Sequence, residues 1–181
     1  MKILLTIIGL GLITISCNND NQFRISEDFI GPLTKTTPIN EVKATFINDS
    51  VVPVIGAASG VSTGTLLVYE KGGKQLLQID PKEENDGFST VGNIRIFDER
   101  YKTTKGINLK STFKDISQAY SIKRIENMLG IILLYLEDSD IYITIDKKYL
   151  PGDFKFDTSR KIDPINIPED APIKYLMIGW E

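Results

Sequence analysis

The chain of 181 residues contains no histidine, and its only cysteine is Cys17. Without histidine, neither a Ser-His-Asp triad nor a histidine-ligated metal can form. With one cysteine, no disulfide can form within the chain. Only oxygen ligands are left for a metal, which restricts the candidates to calcium and magnesium. We therefore predict a protein with no metal site and no cofactor.

Motifs for nucleotides and nucleic acids are also missing. The sequence has no glycine-rich phosphate loop and no basic stretch interleaved with aromatic residues. Its formal net charge of −3 gives no general attraction to polyanions, so we expect no nucleic-acid partner. A small acidic group at 83–86 precedes Gly87, but Lys82 stands where a calcium loop of the EF-hand type requires aspartate. We interpret this group as a solvated turn.

The N-terminal segment has the pattern of a secretory signal. Lys2 is followed by an apolar stretch over 3–15 and by the small residue Ser16. This stretch is shorter than the roughly 20 apolar residues of a membrane-spanning helix, so 1–16 is predicted to be a signal peptide. The segment 13–17 resembles a bacterial lipobox, although Thr14 replaces the usual leucine. The resemblance implies that Cys17 is lipidated and becomes the mature N-terminus.

A short polar tether is expected to follow the lipid, over residues 17–22. Its length predicts a folded domain close to the bilayer, because each residue spans at most about 3.5 Å. Asn18 follows Cys17, which by similarity to other lipoproteins favours the outer membrane. We therefore predict a lipid-anchored protein of the cell envelope, on the outer membrane and facing the periplasm.

Two patterns occur twice in the rest of the chain. The apolar residues Ile39, Val42 and Phe46 have helical spacing, and the same spacing recurs at 113, 116 and 120. Thr37 and Ser111 are the expected N-caps of these helices. A hairpin pattern over 64–80 recurs at a constant offset over 130–146, with polar turns at 71–74 and 137–140.

These repeats predict an α+β fold made of two similar units. In each unit a short amphipathic helix packs on antiparallel strands, in the order β-α-β-hairpin-β, because neither element can bury its apolar side alone. Residues 23–181 are predicted to form a single domain, with units at about 23–97 and 94–178. The proline-containing segment 151–171 is expected to be a surface excursion and the first place to look for a partner site.

A family resemblance covers most of the chain. The segments that carry it are residues 25–27, 30–34, 36–38, 94–96, 106–116 and 178–180. In this order they resemble the YfeY-like bacterial lipoproteins. The resemblance implies an envelope lipoprotein without an established activity, and it implies no catalytic residues.

Two short motifs are candidates for catalysis. Residues 60–64 fit the G-x-S-x-G pattern around Ser62, but no histidine exists to activate the serine, and a strand rather than a helix is expected to follow. Ser111 and Lys114 fit S-x-x-K, in which lysine deprotonates serine. We interpret Ser111 more simply as a helix cap. Tyr69 and Tyr135 occupy matching positions of the two hairpins and are expected to be core or sheet-face residues.

The leading hypothesis is a non-catalytic binding or scaffolding module. Its expected partners are the membrane, through the lipid on Cys17, and another envelope protein or component. Two alternatives remain open. One is a small hydrolase or transferase that uses a dyad of Ser111 and Lys114, and the other is a carrier of an apolar ligand.

Overall fold

The computed structural model describes residues 21–56, 62–82 and 89–180. Cys17, the predicted signal peptide and the acidic group at 83–86 lie outside these residues. The described chain is mainly β-structure with two short α-helices, α1 (Val42–Thr45) and α2 (Phe113–Ala119). Short 3-10 turns occur at Ile39–Glu41, Lys147–Tyr149, Gly152–Phe154 and Pro164–Asn166. The predicted α+β class is confirmed.

Eight strands form the larger of two sheets. They are β4 (Ser50–Ile55), β5 (Ser62–Tyr69), β6 (Gln75–Pro81), β7 (Val91–Ile96), β9 (Ile122–Asn127), β10 (Ile131–Leu136), β11 (Ile141–Asp146) and β12 (Ile173–Gly179). Their order is β4-β5-β6-β7-β12-β11-β10-β9, and every neighbouring pair is antiparallel. Each half is therefore a four-stranded meander, and the halves meet where β7 pairs with β12.

The smaller sheet contains four two-residue strands. They are β1 (Arg24–Ile25), β2 (Phe29–Ile30), β3 (Leu33–Thr34) and β8 (Lys102–Thr103), in the order β3-β2-β1-β8. Strand β1 runs antiparallel to β2 and parallel to β8. The first unit was predicted to begin at about residue 23 with a strand on which its helix packs, but the strand at Arg24–Ile25 lies in this separate sheet instead.

One face of the eight-stranded sheet, the inner face, forms the core. The strand register aligns one aliphatic residue from each of six neighbouring strands, and all six are buried: Val68, Leu77, Ile96, Leu176, Ile143 and Leu134. Burying a side chain of this size contributes roughly 1.5–3 kcal/mol, so this row is a major source of stability. The small sheet and both helices add apolar side chains to the same core.

The helices bury the predicted stripes but begin later than expected. Val42, Phe46, Phe113, Ile116 and Tyr120 are buried, as their spacing predicted, whereas Ile39 of the first stripe is only partly buried. The predicted caps are wrong. Helix α2 is capped by Thr112, whose hydroxyl accepts from the Asp115 N–H while the Asp115 carboxylate accepts from the Thr112 N–H. Helix α1 is preceded by the 3-10 turn at Ile39–Glu41. The Thr37 hydroxyl accepts a hydrogen bond from the Thr34 N–H instead of capping the helix.

Candidate binding surface

The structure does not bring Ser111 and Lys114, the pair of the alternative enzyme hypothesis, into a reactive arrangement. The Ser111 hydroxyl is buried and accepts a hydrogen bond from the Asn108 N–H at 3.2 Å. The Lys114 ammonium is exposed and donates to Glu169 at 2.8 Å. This hydrogen bond raises the pKa of Lys114. A general base needs the opposite shift, so the arrangement disfavours the dyad.

The other sequence candidates also find structural roles or lie outside the described residues. Ser62 begins β5, so a strand follows it. Asp138 and Asp140 stand in the β10–β11 turn, where Asp138 has a positive φ of 49° and Asp140 pairs with Lys35 at 2.7 Å. Over 21–56, 62–82 and 89–180, no group of three or more cysteine or carboxylate side chains is placed to hold a metal ion. Within the same residues, no helix has the length and apolar character needed to cross a membrane.

The second face of the eight-stranded sheet, here called the outer face, differs in chemistry from the core. The register aligns one residue per strand across it: Val52, Leu67, Gln78, Arg95, Met177, Tyr142, Tyr135 and Arg124. Tyrosine, methionine and arginine are the residues enriched in the centres of protein interfaces, where lysine and carboxylates are depleted. This composition makes the outer face the candidate binding surface.

Arg95 lies at the middle of this surface, on the central strand β7. Its guanidinium carbon is 3.6 Å from the centre of the Tyr175 ring and 4.8 Å from that of Phe97. The Nε atom is buried and donates no hydrogen bond, and none of the ion pairs in the described chain involves Arg95. Stacking on aromatic rings therefore holds the charge in place without an ion pair to any described residue.

Tyr142 forms a second fixed point of the outer face. Its hydroxyl donates to Asn93 at 2.6 Å, and its ring lies over Gly179, where an added Cβ would be 3.3 Å from the tyrosine Cε1. The glycine on β12 thus lets a tyrosine from β11 reach an asparagine on β7. Burial raises the pKa of Tyr142, so the hydroxyl stays protonated and able to donate.

An aromatic and basic cleft adjoins Tyr142 on the side of strand β9. The Tyr142 ring stacks on Tyr135 with centres 6.0 Å apart, and the guanidinium carbon of Arg124 lies 4.0 Å from the Tyr135 centre. Arg124 also pairs with Glu126 at 3.2 Å. A cleft of about 700 Å³ runs beside these side chains and includes Lys123. The surface therefore combines flat rings, fixed cations and accessible volume.

Sequence reasoning placed Tyr135 correctly on a sheet face but did not identify Arg95. The signal was present, because Ile94 and Ile96 flank Arg95 and a strand directs neighbouring side chains to opposite faces. What the sequence does not show is that β12 is the neighbour of β7 and brings Tyr175 under the guanidinium.

Comparison with known proteins yields a similarity of fold. No family model matches the chain, and no curated protein matches it. The crystal structure of the uncharacterized protein YfeY from Escherichia coli aligns with a TM-score of 0.55 and 17% sequence identity, over 86% of this chain and 99% of YfeY. The chain is similar to YfeY in fold. The resemblance to YfeY-like proteins seen in the sequence is thus confirmed, at the level of the fold.

Proposed function

We propose that this protein is a non-catalytic binding module, anchored to the cell envelope by lipid on Cys17, and that the outer face of its eight-stranded sheet binds the partner. The observation that carries the binding role is the environment of Arg95, whose guanidinium stacks on two aromatic rings and has no acidic partner among the described residues. Among the described residues the guanidinium forms no ion pair, so a partner that brings an acceptor to its terminal N–H groups adds charge-assisted hydrogen bonds. The partner is therefore expected to present a carboxylate or another anion.

The residues around Arg95 suit a protein partner in particular. Arginine and tyrosine are among the residues that contribute most to binding when they lie at the centre of an interface. Here Tyr175 and Tyr142 are already held in place by Arg95 and Asn93. Little side-chain freedom remains to be lost on binding, which favours affinity.

Site-specific photo-crosslinking in native envelopes tests the binding surface. A photoreactive residue at Met177, beside Arg95 on the outer face, should capture a defined partner. The matched control is the same probe at Lys110, whose side chain is 70% exposed and pairs with Glu99, outside the strands of the sheet. Capture at 177 but not at 110 supports the proposal. Equal capture at both positions, or none at 177, contradicts it.

The lipid anchor is tested separately by intact mass. Support for it comes from the lone cysteine at the end of the apolar stretch and from the lipobox resemblance of 13–17. The native protein should begin at residue 17 and carry the mass of its acyl groups. A Cys17→Ser variant should keep residues 1–16 and lack that mass. A native chain that begins at Met1, or that carries an unmodified sulfur, would contradict the anchor.

We also infer that the two halves of the large sheet are copies of one unit, each with a short helix and four strands. What supports this is the equal strand order of β4–β7 and β9–β12, together with the constant offsets in the sequence. The β7–β12 pair that holds Arg95 and Tyr175 then exists only because two copies are joined. Superposing 42–96 on 113–179 should match the strands one for one, and unmatched strands would refute the duplication.

A further inference from the structure

A group of exposed apolar side chains lies at the end of the sheet where β9 turns into β10. Leu129 is 87% exposed and Met128 46%, both in the β9–β10 turn, while Phe156 is 88% and Tyr149 40% exposed in the segment that follows β11. A group of exposed apolar side chains on a globular domain usually marks an interaction site. We call the surface formed by these four residues, together with Lys148 and Lys155, the tip.

Buried Lys147 holds the two parts of the tip together. Its ammonium donates to the Asn127 side-chain oxygen at 2.7 Å and to the Asp157 carbonyl at 3.4 Å. The Asn127 amide in turn donates to the carbonyls of Asp157 and Arg160 at 2.9 and 2.7 Å. The Lys147 backbone N–H bonds to Gly130 at 3.0 Å. Phe156 and the Met128–Leu129 turn are thus fixed on neighbouring parts of one surface.

The tip is basic, although the whole chain is acidic. Residues 147–161 contain five lysines and arginines and two aspartates, whereas the chain has a net charge of −3. Arg160 and Lys161 pair with Asp153 and Asp163. Lys148 and Lys155 form no ion pair with any described residue. Their charges are therefore available to an external anionic surface.

Exposed aromatic and aliphatic side chains among free lysines fit the boundary between lipid headgroups and acyl chains. We propose that the tip docks on an anionic lipid bilayer, with Leu129 and Phe156 inserted and Lys148 and Lys155 on the headgroups. Asn21, near the end of the predicted tether, lies beside Ile47, which comes shortly before β4 in the chain. The antiparallel order places the start of β4 and the end of β9 at the same end of the sheet. A tether from Cys17 would hold the tip toward the membrane.

The docking rests on the proposed anchor for its orientation alone, and the test separates the two. The full chain with Phe156→Trp is reconstituted in vesicles that contain brominated phosphatidylcholine, with or without phosphatidylglycerol. Trp180 is buried and provides a constant background that the unsubstituted chain measures. In anionic vesicles we expect bromine to quench at least half of the position-156 fluorescence. The matched control is Ile55→Trp at the opposite end of the edge strand β4, where the side chain is 53% exposed and the tryptophan should be quenched less than half as much.

Two double variants test the charges. Lys148→Glu with Lys155→Glu, in the Phe156→Trp chain, should reduce the quenching at least threefold, whereas arginine at both positions should preserve it. Quenching at 156 no stronger than at 55, or equal quenching in neutral vesicles, would overturn the docking on anionic lipid. A chain that sediments with vesicles but shows no quenching at position 156 would contradict the docking and leave the proposed anchor intact. If intact mass shows that the native chain carries no acyl groups while position 156 is still quenched in anionic vesicles, the docking stands and the anchor is contradicted.

Discussion

Strand β7 carries the two chemistries of the molecule on its opposite faces. Ile94 and Ile96 are buried in the aliphatic core, whereas Arg95 between them stacks on Tyr175 on the other face. Both sides are ordered by packing, but on the outer side the Arg95 guanidinium forms no ion pair among the described residues. The inner face therefore supplies stability, whereas the outer face carries a charge that the proposed function assigns to a partner. Substitutions on the two faces should therefore separate stability from binding.

The largest effect on stability is expected on the inner side, at Ile116 in helix α2. Ile116→Ala should lower the free energy of unfolding by about 2–5 kcal/mol, because it removes buried methyl groups and leaves a cavity. Ile116→Asp should cost more, since it buries an unpaired charge. Urea denaturation measures both. The control, Lys114→Asp, is exposed and should leave the unfolding midpoint close to that of the wild type. An Ile116→Ala chain as stable as the wild type would refute the core assignment.

The next largest effect is expected at Asp98, directly after β7. Burial alone would raise its pKa, but hydrogen bonds from Arg100 and Lys74 outweigh burial and lower the pKa to about 2. The folded-state pKa therefore lies below the ordinary value of 3.8. The carboxylate stabilises the fold above about pH 4, and this contribution is lost as the pH falls through 2. The difference corresponds to about 2.5 kcal/mol.

Asp98→Asn should accordingly lower the free energy of unfolding by about 2–3 kcal/mol at pH 7 and by much less near pH 2. Denaturation series at several pH values measure this convergence. Asp153→Asn is the control, because the Asp153 side chain is 82% exposed. A gap between wild type and Asp98→Asn that stays constant from pH 7 to pH 2 would contradict the ion network.

A smaller effect is expected on the outer face, at Tyr142. Tyr142→Phe removes the hydrogen bond to Asn93 and should cost about 1 kcal/mol in urea denaturation. Tyr135→Phe is a matched control, because the neighbouring Tyr135 stacks on the same ring and its hydroxyl makes no hydrogen bond among the described residues. Equal costs for the two variants would show that the Asn93 contact does not stabilise the face.

The smallest effect on stability is expected at Arg95. Arg95→Met keeps an apolar stem on Tyr175 and removes a buried Nε that has no acceptor. The free energy of unfolding should change by less than about 0.5 kcal/mol, or rise slightly. Thermal and urea denaturation measure this free energy of unfolding. A loss above about 2 kcal/mol would assign Arg95 a structural role and weaken the proposed binding role.

Local patterns predicted much of the fold. The helical spacing of 113, 116 and 120 and the polar turns at 71–74 and 137–140 correspond to a buried helix face and to two hairpins. Strands β4 and β9 were missed because both are edge strands. Pro53 lies within β4, and prolines weaken a strand prediction. In β9, Ile122 and Ile125 have helical rather than alternating spacing.

The candidate site was harder to predict, because its properties depend on pairing between distant parts of the chain. Tyr175 is far from Arg95 in the sequence and reaches it only through the β7–β12 register. The tip depends in the same way on Lys147 joining the β9–β10 turn to Asp157. The segment 151–171 was expected to be a surface excursion, and its exposed Phe156 supplies part of the tip.

The most direct test of the central claim measures unfolding and partner capture on the same Arg95→Met protein. With the photoreactive probe at Met177, we predict an unfolding free energy within about 0.5 kcal/mol of the parent chain and a yield of captured partner at least tenfold lower. Capture that is unchanged in a stably folded Arg95→Met chain would contradict the claim that the outer face binds through this guanidinium.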